Sequence, residues 1–222
     1  MSAGPAGTGG LLVEVRPVGA LQCNCVLLVD PATREAIVVD PGDEADAILA
    51  RVEALGCQVR EIVHTHTHID HVGATDAVRR ATGAKSGLHR ADLFLLEMLD
   101  VQASWLGCAT PPAAPVDREL VEGDRLAFGG RHLDVLHTPG HTPGSLVFVT
   151  DDRDGPLVCA GDTLFAGSIG RTDLPGGDPE AIVRSIQRKL YALPDEARVI
   201  PGHGPMTTIG RERRHNAFVR GV

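Results

Sequence analysis

The segment from Thr65 to His71 reads T-H-T-H-I-D-H and places His66, His68, Asp70 and His71 within six residues. Neutral imidazoles and a carboxylate are transition-metal ligands, suited to zinc, iron or manganese. Glu61 to Val63 just before the run reads as a short strand, and Val72 to Ala81 after it as a helix. The run therefore occupies a strand-to-helix loop, where a rigid scaffold usually carries binding groups. Residues two apart in an extended chain point the same way. His66 and His68 are thus expected to grip one ion together, while Asp70 and His71 turn into the helix and face a neighbouring ion. Alone, Asp70 would read as a helix N-cap; beside three histidines it reads as a ligand.

Three later segments offer further ligands: T-P-G-H-T-P-G-S at 138–145, G-D-T-L-F at 161–165 and P-G-H-G-P at 201–205. His141 and His203 each sit between proline and glycine pairs. The prolines stiffen these loops, and the glycines allow tight turns and close backbone approach. Asp162 follows an apolar strand, so it can emerge from the core between two ions. The other histidines read as structural: His64 ends the strand before the run, and His132 and His137 share a strand. His137 is also placed to donate a hydrogen bond near the site, and His89 and His215 read as surface or cap residues. Cys23 and Cys25 form C-x-C with no second pair to complete a zinc site; Cys25 and Cys159 read as buried strand residues.

Positioning these loops requires strands that end beside one another. Residues 11–18, 26–29 and 36–39 read as strands leading to the D-P-G turn at 40–42. Residues 45–55 have helical spacing and stop at Gly56, a C-terminal cap. Residues 85–88 read as a strand, 90–99 as a helix and 109–115 as a Pro-rich loop. The second half repeats the pattern, with strands at 120–121, 125–128, 132–136, 146–149 and 157–160 separated by turns. A helix is predicted over 179–190 with Asp178 as N-cap and Pro179 in its first turn, then a strand at 198–200 and a helix at 209–219. This order supports an α/β protein whose sheets are covered by helices.

Composition narrows the function. The 222 residues suit one α/β unit with a substantial core. No apolar stretch approaches the roughly 18–20 residues that span a bilayer. The first ten residues, M-S-A-G-P-A-G-T-G-G, lack a signal peptide's basic start and apolar core and read as a flexible tail. Five cysteines fit a reducing cytoplasm rather than a disulfide framework. The formal charge of −8 argues against a nucleic-acid binder. A homo-oligomer is compatible with all of this.

Taken in order, the four ligand-bearing segments resemble the metallo-β-lactamase superfamily of metallohydrolases, over nearly the whole chain after residue 10. The resemblance implies the four-layered αβ/βα sandwich of that family, as one domain over 11–222. It implies that His66, His68 and His141 hold one metal, that Asp70, His71 and His203 hold a second, and that Asp162 bridges them. Asp70 and Asp162 would then be the carboxylates at the reacting centre. Two divalent transition-metal ions are implied, zinc first, with iron or manganese as alternatives.

Within the superfamily the likeness is to the short form of the glyoxalase II-like (hydroxyacylglutathione hydrolase) group. It is carried by residues 161–173, by 201–213 and by H-N-A-F at 215–218. The implied substrate is a small thioester such as S-lactoylglutathione. Long glyoxalases II bind glutathione partly through an added helical domain, whereas this chain ends about twenty residues after His203 and has one tyrosine, Tyr191. G-R-T-D at 170–173 also resembles persulfide dioxygenases, which use one iron and three protein ligands; hydrolysis of another ester or a lactone is a further alternative. P-G-H-G-P favours the hydrolase. Arg171 reads either as a clamp for a substrate carboxylate or as the partner of Asp173 in a structural salt bridge.

Overall fold

Two six-stranded sheets pack face to face in the computed structural model, which describes residues 10–221. Of the tail expected at 1–10, all but Gly10 lies outside the described residues. The first sheet runs in chain order: β1 (Leu12–Val18), β2 (Cys23–Val29), β3 (Glu35–Val39), β4 (Gln58–Val63), β5 (Lys85–Leu88) and β6 (Arg118–Glu119). Its first two pairings are antiparallel and the last three parallel. The second sheet contains β7 (Arg125–Phe128), β8 (Arg131–His137), β9 (Leu146–Thr150) and β10 (Leu157–Gly161). After the small hairpin of β11 (Leu164–Phe165) and β12 (Ser168–Ile169), β13 (Arg198–Pro201) and β14 (Thr207–Thr208) extend it, in the order β14-β13-β10-β9-β8-β7.

Side-chain alternation along the strands creates the layers. In β2, Val26 and Leu28 enter a central core with Ile37, Phe128 and Phe148. Cys25, Leu27 and Val29 point the other way, against Ile48 of α1 (Ala45–Leu55) and Val78 of α3 (Thr75–Thr82). Val158 and Val199 turn outward from the second sheet onto Ile182 of α6 (Pro179–Ser185), Ile186 and Leu190 of the wide turn that follows it, and Ile209 of α7 (Ile209–His215). A sheet buried on both faces needs strands apolar throughout, and β2 is buried along its whole length. Each large apolar side chain so buried contributes roughly 1.5–3 kcal/mol. The result is the four-layered αβ/βα sandwich implied by the family resemblance.

Several boundaries differ from expectation for tertiary reasons. The helix predicted over 72–81 is two: α2 (Ile69–Val72) and α3, broken where the Ala74 amide donates to the Pro41 carbonyl at 2.9 Å. A side chain on Gly73 would lie 2.4 Å from the Gly42 carbonyl oxygen, so only glycine lets the 40–42 turn dock there. The helix predicted over 90–99 is a short 3₁₀ turn at Arg90–Asp92, then α4 (Leu93–Glu97) and α5 (Leu99–Leu106). The last helix stops at His215 rather than at 219, because the Asn216 side chain accepts the amides of Phe218 and Val219. The helix expected over 179–190 is continuous but widens into a π turn at Ile186–Leu190. Asp178 caps it as predicted, accepting the amides of Glu180 and Ala181. Among the described residues, no helix is long and apolar enough to cross a membrane.

Candidate metal centre

Four strands release their chains at one rim of the sandwich. Residues 64–71 follow β4, His141 lies beyond β8, Asp162 follows β10 and His203 follows β13. Their side chains converge into three groups that could hold metal: His66, His68 and His141; Asp70, His71 and His203; and His66, His71 and Asp162. In the first, His141 Nε2 lies 3.2 Å from His66 Nε2 and 3.0 Å from His68 Nδ1. In the second, His203 Nε2 lies 3.3 Å from His71 Nε2 and 3.2 Å from Asp70 Oδ2. Donors about 2.0–2.2 Å from a tetrahedral ion stand about 3.3–3.6 Å apart. One of these four distances reaches that range and the others fall just short of it, so the donors are already gathered around a common point in each group.

Asp162 stands between the groups. Its Oδ2 lies 3.6 Å from His141 Nε2, and its Oδ1 lies 3.5 Å from His71 Nε2 and 3.7 Å from His203 Nε2. Oδ1 is buried and accepts no hydrogen bond. A buried carboxylate oxygen without a partner is costly, and a cation between these donors would satisfy it. Together with the imidazole-rich donor set, this orphaned oxygen fits a pair of divalent ions.

Hydrogen bonds from the far side of four of the five rings, all but His68, choose which nitrogen faces the centre, as they do around metal-bound histidines generally. His71 Nδ1 donates to Asp40 Oδ2 at 3.0 Å, His141 Nδ1 to the Arg171 carbonyl at 2.8 Å and His203 Nδ1 to the Leu21 carbonyl at 2.9 Å. His66 Nδ1 lies 3.1 Å from Thr65 Oγ1, whose own proton goes to Asp40 Oδ2 at 2.6 Å. Asp40 thus steadies two rings and also accepts the Thr65 amide at 2.7 Å. Sequence reasoning assigned Asp40 only to the D-P-G turn; its φ of 51°, a left-handed value that Asp tolerates, aims it inward. Asn24 was also missed. Its side chain donates to the carbonyls of Pro201 and Gly204 and clamps the loop carrying His203.

A third missed residue, the fully buried Asp92, holds the loop of His141. Its Oδ2 accepts the Thr142 hydroxyl at 2.7 Å and its Oδ1 accepts the Gly144 amide at 2.6 Å. Burial pushes its carboxyl up to about 6, against the lowering effect of those two hydrogen bonds. No motif marks Asp92 in the sequence. His137 does reach this loop, donating from Nε2 to the Pro143 carbonyl at 2.8 Å while stacking on His89. His89 also accepts the Ala91 amide as a cap, and His215 is exposed. His64 is buried against Thr75 and Asp40, apart from the three groups.

Electrostatics divides the two histidine groups. Burial drives His66 well below its ordinary pKa, His68 down to about 3 and His141 downward, so these rings are neutral and ready to ligate. Burial acts against protonated His71 too, yet Cys23, Asp70, Asp162 and Asp40 raise it well above the usual value. His203 is raised against burial by Asp70 and Asp162. Burial pushes Asp70 up, but His71 and His203 bring it below the usual carboxylate range. The second group therefore attracts positive charge, and a proton competes there with a metal ion.

Arg171 lies next to the centre but spends its side chain elsewhere. Nε and Nη2 donate to the two oxygens of Asp173, both at 2.8 Å, on an exposed stretch. Its carbonyl serves the site by orienting His141. Cys25 and Cys159 are buried in the strands, as expected, and burial pushes the Cys159 thiol pKa far up.

The comparisons agree with this geometry. Over 209 residues the chain is 40% identical to a hydroxyacylglutathione hydrolase, GloC, of Haemophilus influenzae, covering 93% of this chain and 97% of that one. The di-iron-bound form of TTHA1623 superimposes with a TM-score of 0.83 at 45% identity, covering 93% of this chain and all of that one. BLEG-1, a B3 metallo-beta-lactamase, gives a TM-score of 0.86 at 36% identity over 95% of this chain and all of that one. Residues 18–203 match the family model, a span that begins before Asp40 and ends on His203, so the chain that builds this centre is a member of the metallo-beta-lactamase superfamily.

Proposed function

We propose that this metallohydrolase cleaves a small thioester of the S-lactoylglutathione kind at a two-metal centre. His66, His68 and His141 would hold one ion, Asp70, His71 and His203 would hold the other, and Asp162 would be shared between them. The observation that carries this reading is Asp162, which turns one oxygen to each histidine group and leaves Oδ1 without a hydrogen bond. A mononuclear site of three ligands would leave Asp70, His71 and His203 converging for no purpose. The GloC relative supports the thioester class, and the di-iron-bound relative supports iron beside zinc as the resident metal.

Two bound divalent ions would supply Lewis acidity toward an acyl carbonyl and acidify a water molecule at neutral pH. The chain supplies the rest. Asp40, Thr65 and the carbonyls of Leu21 and Arg171 lock the ring orientations before substrate arrives, so no reorganisation accompanies reaction. Asp70, with its side chain 17% exposed, and His203, at 27%, stand on the open side, while His66, His71 and His141 are sealed from solvent. Hydrolysis places the oxygen of water on the acyl carbon, breaks the C–S bond and delivers a proton to the departing sulfur.

The test is S-lactoylglutathione hydrolysis by protein loaded with zinc or iron, followed by loss of thioester absorbance, with oxygen uptake on glutathione persulfide measured on the same preparation. Metal-dependent thioester cleavage with close to two metal equivalents per chain is expected. Oxygen uptake on one iron per chain with negligible thioester cleavage would replace this reading with the persulfide dioxygenase.

A further inference from the structure

A cavity of about 380 Å³ opens directly beside Asp70, on the exposed side of the centre. The β1–β2 turn forms one wall with Val18 and Leu21, Ile69 of α2 lies beside Asp70, and Leu106 and Pro111 close the far side from the end of α5. Leu21 and Leu106 are each close to half exposed, so the rim is open to an entering molecule. Among the described residues the lining contains no Lys, Arg or His, and its only charged members, Asp43 and Asp70, are both acidic. At roughly 30 Å³ per small group, the space accommodates on the order of ten non-hydrogen atoms, about twice the size of a three-carbon hydroxyacyl group.

We infer that this cavity is the acyl pocket and that it selects a neutral aliphatic acyl group longer than lactoyl. The inference rests on the thioester reading above and specifies the substrate class within it. An apolar chain gains from leaving water against Val18, Leu21, Ile69 and Leu106. A carboxylate would instead be desolvated beside two carboxylates with no cationic side chain of the described lining to receive it. Arg171, whose carbonyl places it on the flank of His141 rather than in this lining, already gives its Nε and one Nη2 hydrogen to Asp173. The thiol half of the substrate therefore lies toward that flank, and the acyl half extends past Asp70.

N-acetylcysteamine thioesters carrying acetyl, butyryl, hexanoyl and succinyl groups test this directly, since the leaving group is constant and neutral. Each buried methylene should raise kcat/KM about four-fold, so hexanoyl should exceed butyryl by about 15-fold, and succinyl should fall at least about ten-fold below butyryl. Leu106→Arg places a cation on the half-exposed wall and should reverse the order of succinyl and butyryl. A second readout needs no turnover. Cys108 lines the cavity and is exposed, whereas Cys23, Cys25 and Cys159 are buried. The non-hydrolysable S-hexyl-N-acetylcysteamine should slow maleimide labelling of Cys108, followed by peptide mass mapping. Cleavage that is flat with chain length or fastest for succinyl, with Cys108 unprotected, overturns the pocket assignment and leaves the hydrolase reading standing. Protection of Cys108 with no thioester cleaved retains the pocket and rejects the thioesterase.

Discussion

Gly202 sets how tightly the centre is built, and adding one methyl group there should disable it. A Cβ at residue 202 would lie 2.0 Å from Asp162 Oδ1 and 2.9 Å from His71 Cε1. The backbone cannot retreat easily: the Gly202 amide donates to the Gly161 carbonyl at 2.8 Å, and its carbonyl accepts the Asn24 amide at 2.7 Å. Relief must come from Asp162, whose Oδ1 has to move by about 1.4 Å to reach an ordinary contact. Misplacing a reacting group by about 1 Å costs roughly 100-fold in rate, or about 2.7 kcal/mol of transition-state stabilisation. Gly202→Ala should therefore lose about 100-fold in kcat/KM and bind fewer than two metal ions. Overpacking should lower stability by only about 1–3 kcal/mol, so the fold persists. Metal analysis after dialysis, thioester turnover and circular dichroism on the same sample measure the three effects. Gly130→Ala is the control, because its Cβ would meet only Asp30 Oδ2 at 3.9 Å. Two bound ions and wild-type turnover in Gly202→Ala would refute the bridging position of Asp162.

Asp162→Ala should reduce metal content to one ion or fewer and lower kcat by more than about 100-fold, while His215→Ala, on an exposed ring, keeps both properties; equal losses in the two would dismantle the ligand assignment. Asp40→Ala should weaken metal affinity about 10–100-fold by freeing the His71 and Thr65 hydrogen bonds, read by competition with a chromophoric chelator, and an unchanged affinity would mean that Asp40 serves the turn alone. Asp92 gives a pH signature. Its folded pKa, raised by burial from 3.8 to about 6, exceeds the unfolded value, so its stabilising contribution is complete below about pH 4 and lost as pH rises through about 6. The loss is at most about 3 kcal/mol. Asp92→Asn keeps an acceptor for the Gly144 amide and can donate to Thr142, whose hydroxyl turns to Ser145 Oγ at 2.8 Å. Relative to wild type, Asp92→Asn should thus be stabler at pH 8 than at pH 4.5 in denaturant unfolding, and a pH-independent difference would show that Asp92 is not titrating in the fold.

Much of this protein is legible locally. The T-H-T-H-I-D-H run, the proline–glycine frames around His141 and His203, and Asp162 after an apolar strand carry their chemistry in residue type and spacing. The boundaries of α1 followed from helical periodicity and Gly56, whose φ of 56° is the left-handed cap that glycine adopts freely. Strands buried on both faces announce themselves as continuous apolar runs, and β2, β9 and β10 did so. These signals survive in one dimension because they depend on a residue and its near neighbours.

Other features exist only through contacts between distant segments. Asp40 lies 25 residues before Thr65 and 31 before His71, and nothing in D-P-G reveals that its carboxylate will meet them. Asp92 reaches Thr142 across 50 residues. The break between α2 and α3 comes from the 40–42 turn docking against Gly73, not from any lapse in helical pattern. Arg171 pairs with Asp173 through its guanidinium and holds His141 through its carbonyl, and the second contact spans 30 residues that no motif connects. The cavity beside Asp70 is assembled from a β-turn, a helix start and a loop more than eighty residues away from that turn, so no single segment encodes its apolar character. The ligand types were thus written in the sequence, because metal affinity belongs to side-chain chemistry. Their orientation, their protonation and the shape of the space beside them were decided by the tertiary structure, because each depends on which remote groups exclude water or share a proton.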